Sequence, residues 1–228
     1  MLEITSKYMK EETRIISVCS QKGGSGKSAI TVWLANCLSR ENKRVLVLDA
    51  DGQRTIAKLR AREIERIGLS ENACEVLATD DVASVLDEHY EDYEVIFLDL
   101  PRMTGPDEAV MALTFCDSLL VPIRLGDSDV LSAFEFIKAA KKMGNIRKER
   151  GYDFNIFGVQ NFRQHNLREN SDIDRYAEML DITIFDNALP NRADFMRVGT
   201  MDCPLDYTSI AEPYGAFYQE FKKRYQIS

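Results

Sequence analysis

Residues 21–28 read QKGGSGKS. The stretch combines Gly23, Gly24 and Gly26 with two lysines, Lys22 and Lys27, and the hydroxyl of Ser28. Closely spaced glycines let backbone N–H groups turn inward onto an anion, and a helix opening at Lys27 adds the positive end of its dipole. Lys27 is placed to reach the β- and γ-phosphates of a nucleoside triphosphate, and Ser28 to ligate Mg²⁺. The strict spacing G-x-x-x-x-G-K-[ST] is not met, because Gln21 stands at its first glycine. One lysine is enough for such a loop, so Lys22 needs a separate explanation. Two acidic pieces follow. In DADGQ, Asp49 and Asp51 come directly after the apolar run RVLVL, and Asp99 directly after EVIFL. Carboxylates at strand ends on the same rim as a phosphate loop can organise Mg²⁺ and a water molecule.

Those side chains need a scaffold to bring them together. Short β-branched runs predict strands over Arg14–Ser20, Arg44–Leu48, Ala73–Ala78, Glu94–Leu98, Ser118–Ile123, Phe154–Gln160 and Thr183–Phe185. Between them, helical spacing predicts helices over Lys27–Arg40, Thr55–Ile67, Val82–Tyr90, Asp107–Phe115, Ser128–Met143 and Asn166–Leu180. A short helix near Asp194–Val198 and a last one over Ile210–Tyr225 complete the chain. Strands alternating with helices predict an α/β fold with a mostly parallel twisted sheet and helices on both faces. The strands are apolar almost throughout, as burial on both sides requires. With no repeat or linker, residues 1–228 read as one domain, of which 1–13 form a short N-terminal extension.

Composition sets limits. Hydrophobic residues make up 45% and charged residues 29% of the 228, enough for an ordinary core. A net charge of −8 excludes a chain built as a whole to coat nucleic acid or an anionic membrane. The five cysteines show no C-x-x-C spacing and lie largely in apolar runs, so they are expected to be buried free thiols of a cytoplasmic protein. No apolar run approaches the roughly 18 residues of a membrane-spanning helix.

QKGGSGKS resembles the deviant Walker A motif, K-G-G-x-G-K-[ST], of the ParA/MinD superfamily. DADGQ resembles its D-x-D-P-Q segment, DYEVIFLDLP its Walker B and switch segment, and LPNRADFMRVG its base-binding loop. The resemblance implies a P-loop ATPase using ATP and Mg²⁺. It implies that Gly23, Gly24, Ser25, Gly26, Lys27, Ser28 and Ala29 wrap the phosphates, and that Pro190 and Asn191 lie against the adenine. Asp51 would position the attacking water, Asp49 and Asp99 would serve the metal with Ser28, and Asp99–Pro106 would sense the γ-phosphate. Lys22 would be the signature lysine that crosses an ATP-bound dimer to the partner's nucleotide. Gly52 replaces a usual proline, Arg102 a common second proline, and Ala29 a frequent threonine on the α-phosphate.

Within the superfamily, the sequence is most similar to a small ParA-type partition ATPase. Such proteins dimerise on ATP, bind DNA non-specifically, and hydrolyse ATP slowly until a ParB-like partner stimulates them. Arg163, Arg192, Arg197, Lys222, Lys223 and Arg224 are the candidates for a DNA patch, with binding that the net charge makes weak and salt-dependent. A MinD-like membrane ATPase is the alternative. It would use Phe217, Phe221 and Tyr225 of the C-terminal helix at the lipid surface, although these also suit a core helix. An iron–sulfur reductase would need cysteines such as Cys116, a ligase relative would lack Lys22, and a tyrosine kinase would need a clustered tyrosine tail.

Overall fold

The computed structural model describes residues 13–101, 114–124, 126–149, 151–164 and 172–228. In chain order its strands are β1 (Arg14–Val18), β2 (Val45–Asp49), β3 (Glu75–Ala78), β4 (Val95–Asp99), β5 (Ser118–Ile123), β6 (Asn155–Gln160) and β7 (Thr183–Ile184). Its α-helices are α1 (Lys27–Arg40), α2 (Thr55–Ile67), α3 (Val82–His89), α4 (Asp127–Glu149), α5 (Ile173–Leu180) and α6 (Thr208–Tyr225). Predicted elements at 102–113 and 165–171 lie outside the described residues; Thr114 and Phe115 are helical.

All seven strands pair in parallel, in the order β3-β2-β4-β1-β5-β6-β7. β1 is central, and the chain leaves it towards β2 on one side and later β5 on the other. Such a reversal opens a crevice at the carboxyl ends of the strands, where ligands of this architecture sit. Successive strand residues face opposite sides, so Ile96 and Leu98 join one core while Val95 and Phe97 join the other. Helices α3, α4 and α5 cover the first face, and α1, α2 and α6 the second.

Two expectations are corrected by packing. The glycine-containing stretch after Met143 does not end α4, which runs on to Glu149. Gly144 is there for close approach, because a Cβ on it would lie 2.5 Å from Phe154 Cδ1. α6 begins at Thr208 rather than the predicted Ile210, and Pro213 lies inside it as in the predicted span. A proline lacks the N–H that would bond the carbonyl four residues earlier. That carbonyl, of Ser209, instead accepts from the Arg192 guanidinium.

The aromatic side of α6 is buried in the core: Phe217 and Phe221 are fully enclosed, and Tyr225 donates to the Leu119 carbonyl at 2.9 Å. This helix therefore has no free apolar face for a lipid surface. Among the described residues, no helix is long and apolar enough to cross a membrane.

The expectation of five free thiols is also corrected. Cys37 on α1 and Cys203 form a disulfide, while Cys19, Cys74 and Cys116 are free and buried. Both bonded cysteines are buried, in a core that shields their sulfurs from exchange with solvent thiols. Thiol titration of the unfolded, unreduced chain is expected to give three reactive groups, and five after reduction. The bond spans 166 residues of sequence, so reduction is expected to lower stability by roughly 2–5 kcal/mol, read as a fall in thermal midpoint. Five thiols without reductant would refute the pairing.

Candidate nucleotide site

The loop between β1 and α1 sits at the centre of the carboxyl rim. Gly24 and Gly26 hold φ of 71° and 88°, a left-handed backbone that other residues adopt at a cost. The Gly26 turn leads directly into α1, whose first residue is Lys27. No described side chain forms an ion pair with the Lys27 ammonium, yet its charge is felt by Asp99. The α1 N-terminus has no side-chain cap, so its free N–H groups face the loop unmasked.

β2 and β4 lie side by side with Asp49 and Asp99 as register partners at their ends. Both carboxylates are essentially inaccessible. Asp99 Oδ2 accepts from Ser28 Oγ at 2.7 Å, and Asp49 Oδ2 from the Ala57 N–H at 2.9 Å. The other oxygen of each, Oδ1, has no hydrogen-bond partner among the described residues. Burial pushes the Asp99 carboxyl up to about 7, against the pull of Ser28 and Lys27 and with a further push from Asp49 and Asp51. Burial raises Asp49 as well. Two buried carboxylates with an orphaned oxygen each, beside a serine hydroxyl, fit a divalent cation. Among the described residues, no three His, Cys, Asp or Glu side chains form a closed cage. Mg²⁺ needs none, since it keeps waters and takes phosphate oxygens. Asp51 is partly exposed in the next loop, where its Oδ1 accepts from the Gln53 N–H at 2.8 Å.

Lys22 points away from this cluster. Its ammonium pairs with Asp129 in the first turn of α4, and its side chain is 51% exposed. Pro190 and Asn191 follow β7 and return to the rim: Pro190 bridges Arg163 just beyond β6, and the Asn191 N–H donates to the Arg163 carbonyl at 2.9 Å. Ala29 opens α1 on its outer side and lines an apolar cavity of about 200 Å³ with Ser28, Trp33, Leu59 and Val198.

The six basic candidates do not form one patch. Lys222 pairs with Glu41, beyond the far end of α1 from the loop, and Arg224 with Glu220 and Asp186. Arg197 pairs with Asp194, and Arg192 holds the Ser209 carbonyl. Arg163 and Lys223 are exposed, and neither pairs with an acidic side chain among the described residues.

Two residues of the rim escaped the sequence reading. Asp129 carried no motif. Asn161 did leave a signal, since it is a polar residue ending an apolar strand on the rim, as Asp49 and Asp99 do. It is buried, and its Nδ2 donates to the Ser25 carbonyl at 2.7 Å.

A central strand, a glycine turn, an uncapped helix and paired acids at the neighbouring strand ends define a P-loop nucleotide-binding protein. A model of the CobQ/CobB/MinD/ParA nucleotide-binding domain matches residues 16–201, and the chain belongs to that family. MinD of Aquifex aeolicus superposes with a TM-score of 0.69 at 16% identity, over 95% of this chain and 98% of that one. A plasmid partition protein of Borrelia burgdorferi B31, solved with AMPPNP, gives 0.66 at 19%, over 94% and 100%. At these identities the likeness speaks to the fold. Protein virC1 of Rhizobium rhizogenes is 28% identical over 131 residues, 54% of this chain. The chain spans about half the length of the curated relatives it matches.

Proposed function

We propose that this chain is an ATP-dependent dimerising ATPase of the ParA type that positions a cargo, DNA or a protein complex, in the cytoplasm. The phosphates would lie on the Gly23–Ala29 backbone with Lys27 on the β- and γ-oxygens. Ser28, Asp49 and Asp99 would hold Mg²⁺, which when bound neutralises charge on the transferring phosphate. Asp51 would orient the attacking water. Pro190 and Asn191, returned to the rim beside Arg163, would meet the adenine. A ParB-like partner would stimulate turnover, and any DNA contact would involve Arg163 and Lys223 before the paired residues. The relatives in plasmid partition support this reading.

The observation that carries it is the separation of the two lysines. Lys27 opens the helix under the loop, while Lys22 leaves the loop outward, half exposed and tied to Asp129. A cation that faces solvent from a phosphate loop is available to a second subunit. The test is size in solution by sedimentation velocity with ADP and with AMPPNP. The expected result is a monomer with ADP and a dimer with AMPPNP. A monomer under both conditions would sink the reading.

A further inference from the structure

A phosphate loop must turn its N–H groups inward, and something must hold its carbonyls outward. Asn161 follows β6, and its own N–H donates to the Ile123 carbonyl of β5 at 2.8 Å. Its side chain is therefore launched from two paired strands. Nδ2 donates to the Ser25 carbonyl at 2.7 Å, and Oδ1 accepts from the Phe162 N–H at 2.9 Å. A carbonyl on one side and an N–H on the other leave the amide a single orientation.

The Ser25–Gly26 peptide is planar and trans, so its carbonyl and its N–H point in opposite directions. With the Ser25 carbonyl drawn towards Asn161, the Gly26 N–H faces away from β6 and into the loop. Gly26 allows the approach: a Cβ there would lie 2.5 Å from Asn161 Nδ2. Phe162 has φ of 58°, an uncommon left-handed backbone that the Asn161 Oδ1 bond supports. Its ring lies close against Gly26, and the Arg124 guanidinium stacks over it, 4.2 Å from the centroid.

We propose that Asn161 is a positioning residue that sets the phosphate loop for nucleotide by holding the Ser25 carbonyl outward, with Phe162 and Arg124 bracing it. This rests on the nucleotide-site reading above. Losing the donor leaves a buried carbonyl unpaired and frees the Gly26 peptide to rotate.

The experiment titrates a fluorescent ADP analogue into the full chain, for wild type, Asn161→Asp and Asn161→Leu, with steady-state ATP hydrolysis alongside. Asn161→Asp keeps the acceptor for the Phe162 N–H, hence the turn, but cannot donate to Ser25. Affinity is expected to fall roughly tenfold to a hundredfold in both variants. KM should rise by a similar factor while kcat at saturation stays within about twofold, and the thermal midpoint should fall by a few degrees in both variants, as the unpaired Ser25 carbonyl requires. Wild-type affinity in folded Asn161→Asp overturns the proposal. So does a lowered midpoint with unchanged affinity, which is what a merely structural role gives. Failure of the wild type itself to bind nucleotide would instead remove the reading on which it rests.

Discussion

Lys22→Ala is expected to bind MgATP and yet stay a monomer with it. The side chain is 51% exposed and, among the described residues, pairs with Asp129, itself in the first turn of α4. An exposed ion pair is worth about 1 kcal/mol or less. A triphosphate on a facing subunit offers several negative charges in a site that dimerisation would dry, so the exchange of partners favours the dimer. Without Lys22 the facing phosphates lack that cation and repel. Hydrolysis should fall by about 10³-fold, the lower end of what a cation supplied in trans contributes to phosphoryl transfer. Sedimentation velocity with AMPPNP and phosphate release in single turnover check both parts. A wild-type dimer from Lys22→Ala would show that Lys22 has no role across the interface. Asp129→Ala should act with the opposite sign and weakly, lowering the ATP concentration for dimerisation by about two- to fivefold, because the pair it removes is so modest.

Asp51→Ala should do the reverse of Lys22→Ala: keep the dimer and lose the reaction. Asp49 and Asp99 are buried and face each other across paired strands, which suits holding an ion. Asp51 is partly exposed, and its known partner is the Gln53 N–H in its own loop, so it is the carboxylate with room to meet a water. A positioned acid–base group contributes about 10²–10⁴ in rate. The variant should therefore form a dimer with ATP itself, not only with AMPPNP, and hold it through times at which the wild type has returned to monomer. Rapid phosphate release from Asp51→Ala would assign the water to another group. The two variants together separate dimerisation from chemistry, because each predicts the loss that the other spares.

Much of the fold was legible because local physics and tertiary need agree. α1 and α2 begin and end where their sequence periodicity predicts, and the apolar strands lie within a residue or two of their runs. Differences arose where a residue with a strong local preference met a particular neighbour. The helix predicted to end at Met143 runs on to Glu149, and Gly144 within it serves a close approach to Phe154. Pro213 lies inside the last helix as predicted, and the Ser209 carbonyl that it leaves without a helical donor accepts from Arg192. The basic residues near the C-terminus read as a patch, and proximity to Glu41, Asp186 and Glu220 neutralises most of them.

At the loop, residue types and short-range spacing mark the candidate site: the glycines, Lys27, Ser28 and the strand-ending acids are the groups that a phosphate and a divalent cation call for. The sequence also posed the question of the second lysine. The distant residues that reach that loop come into view with the folded chain. Asp129 lies 107 residues from Lys22, and Asn161 lies 136 from Ser25. Cys37 and Cys203 are 166 apart and met only through the crossing of the 198–206 segment over α1. Contacts at such separations depend on strand order, which no local pattern encodes. A single aspartate, asparagine or cysteine gives no spacing from which to infer its partner.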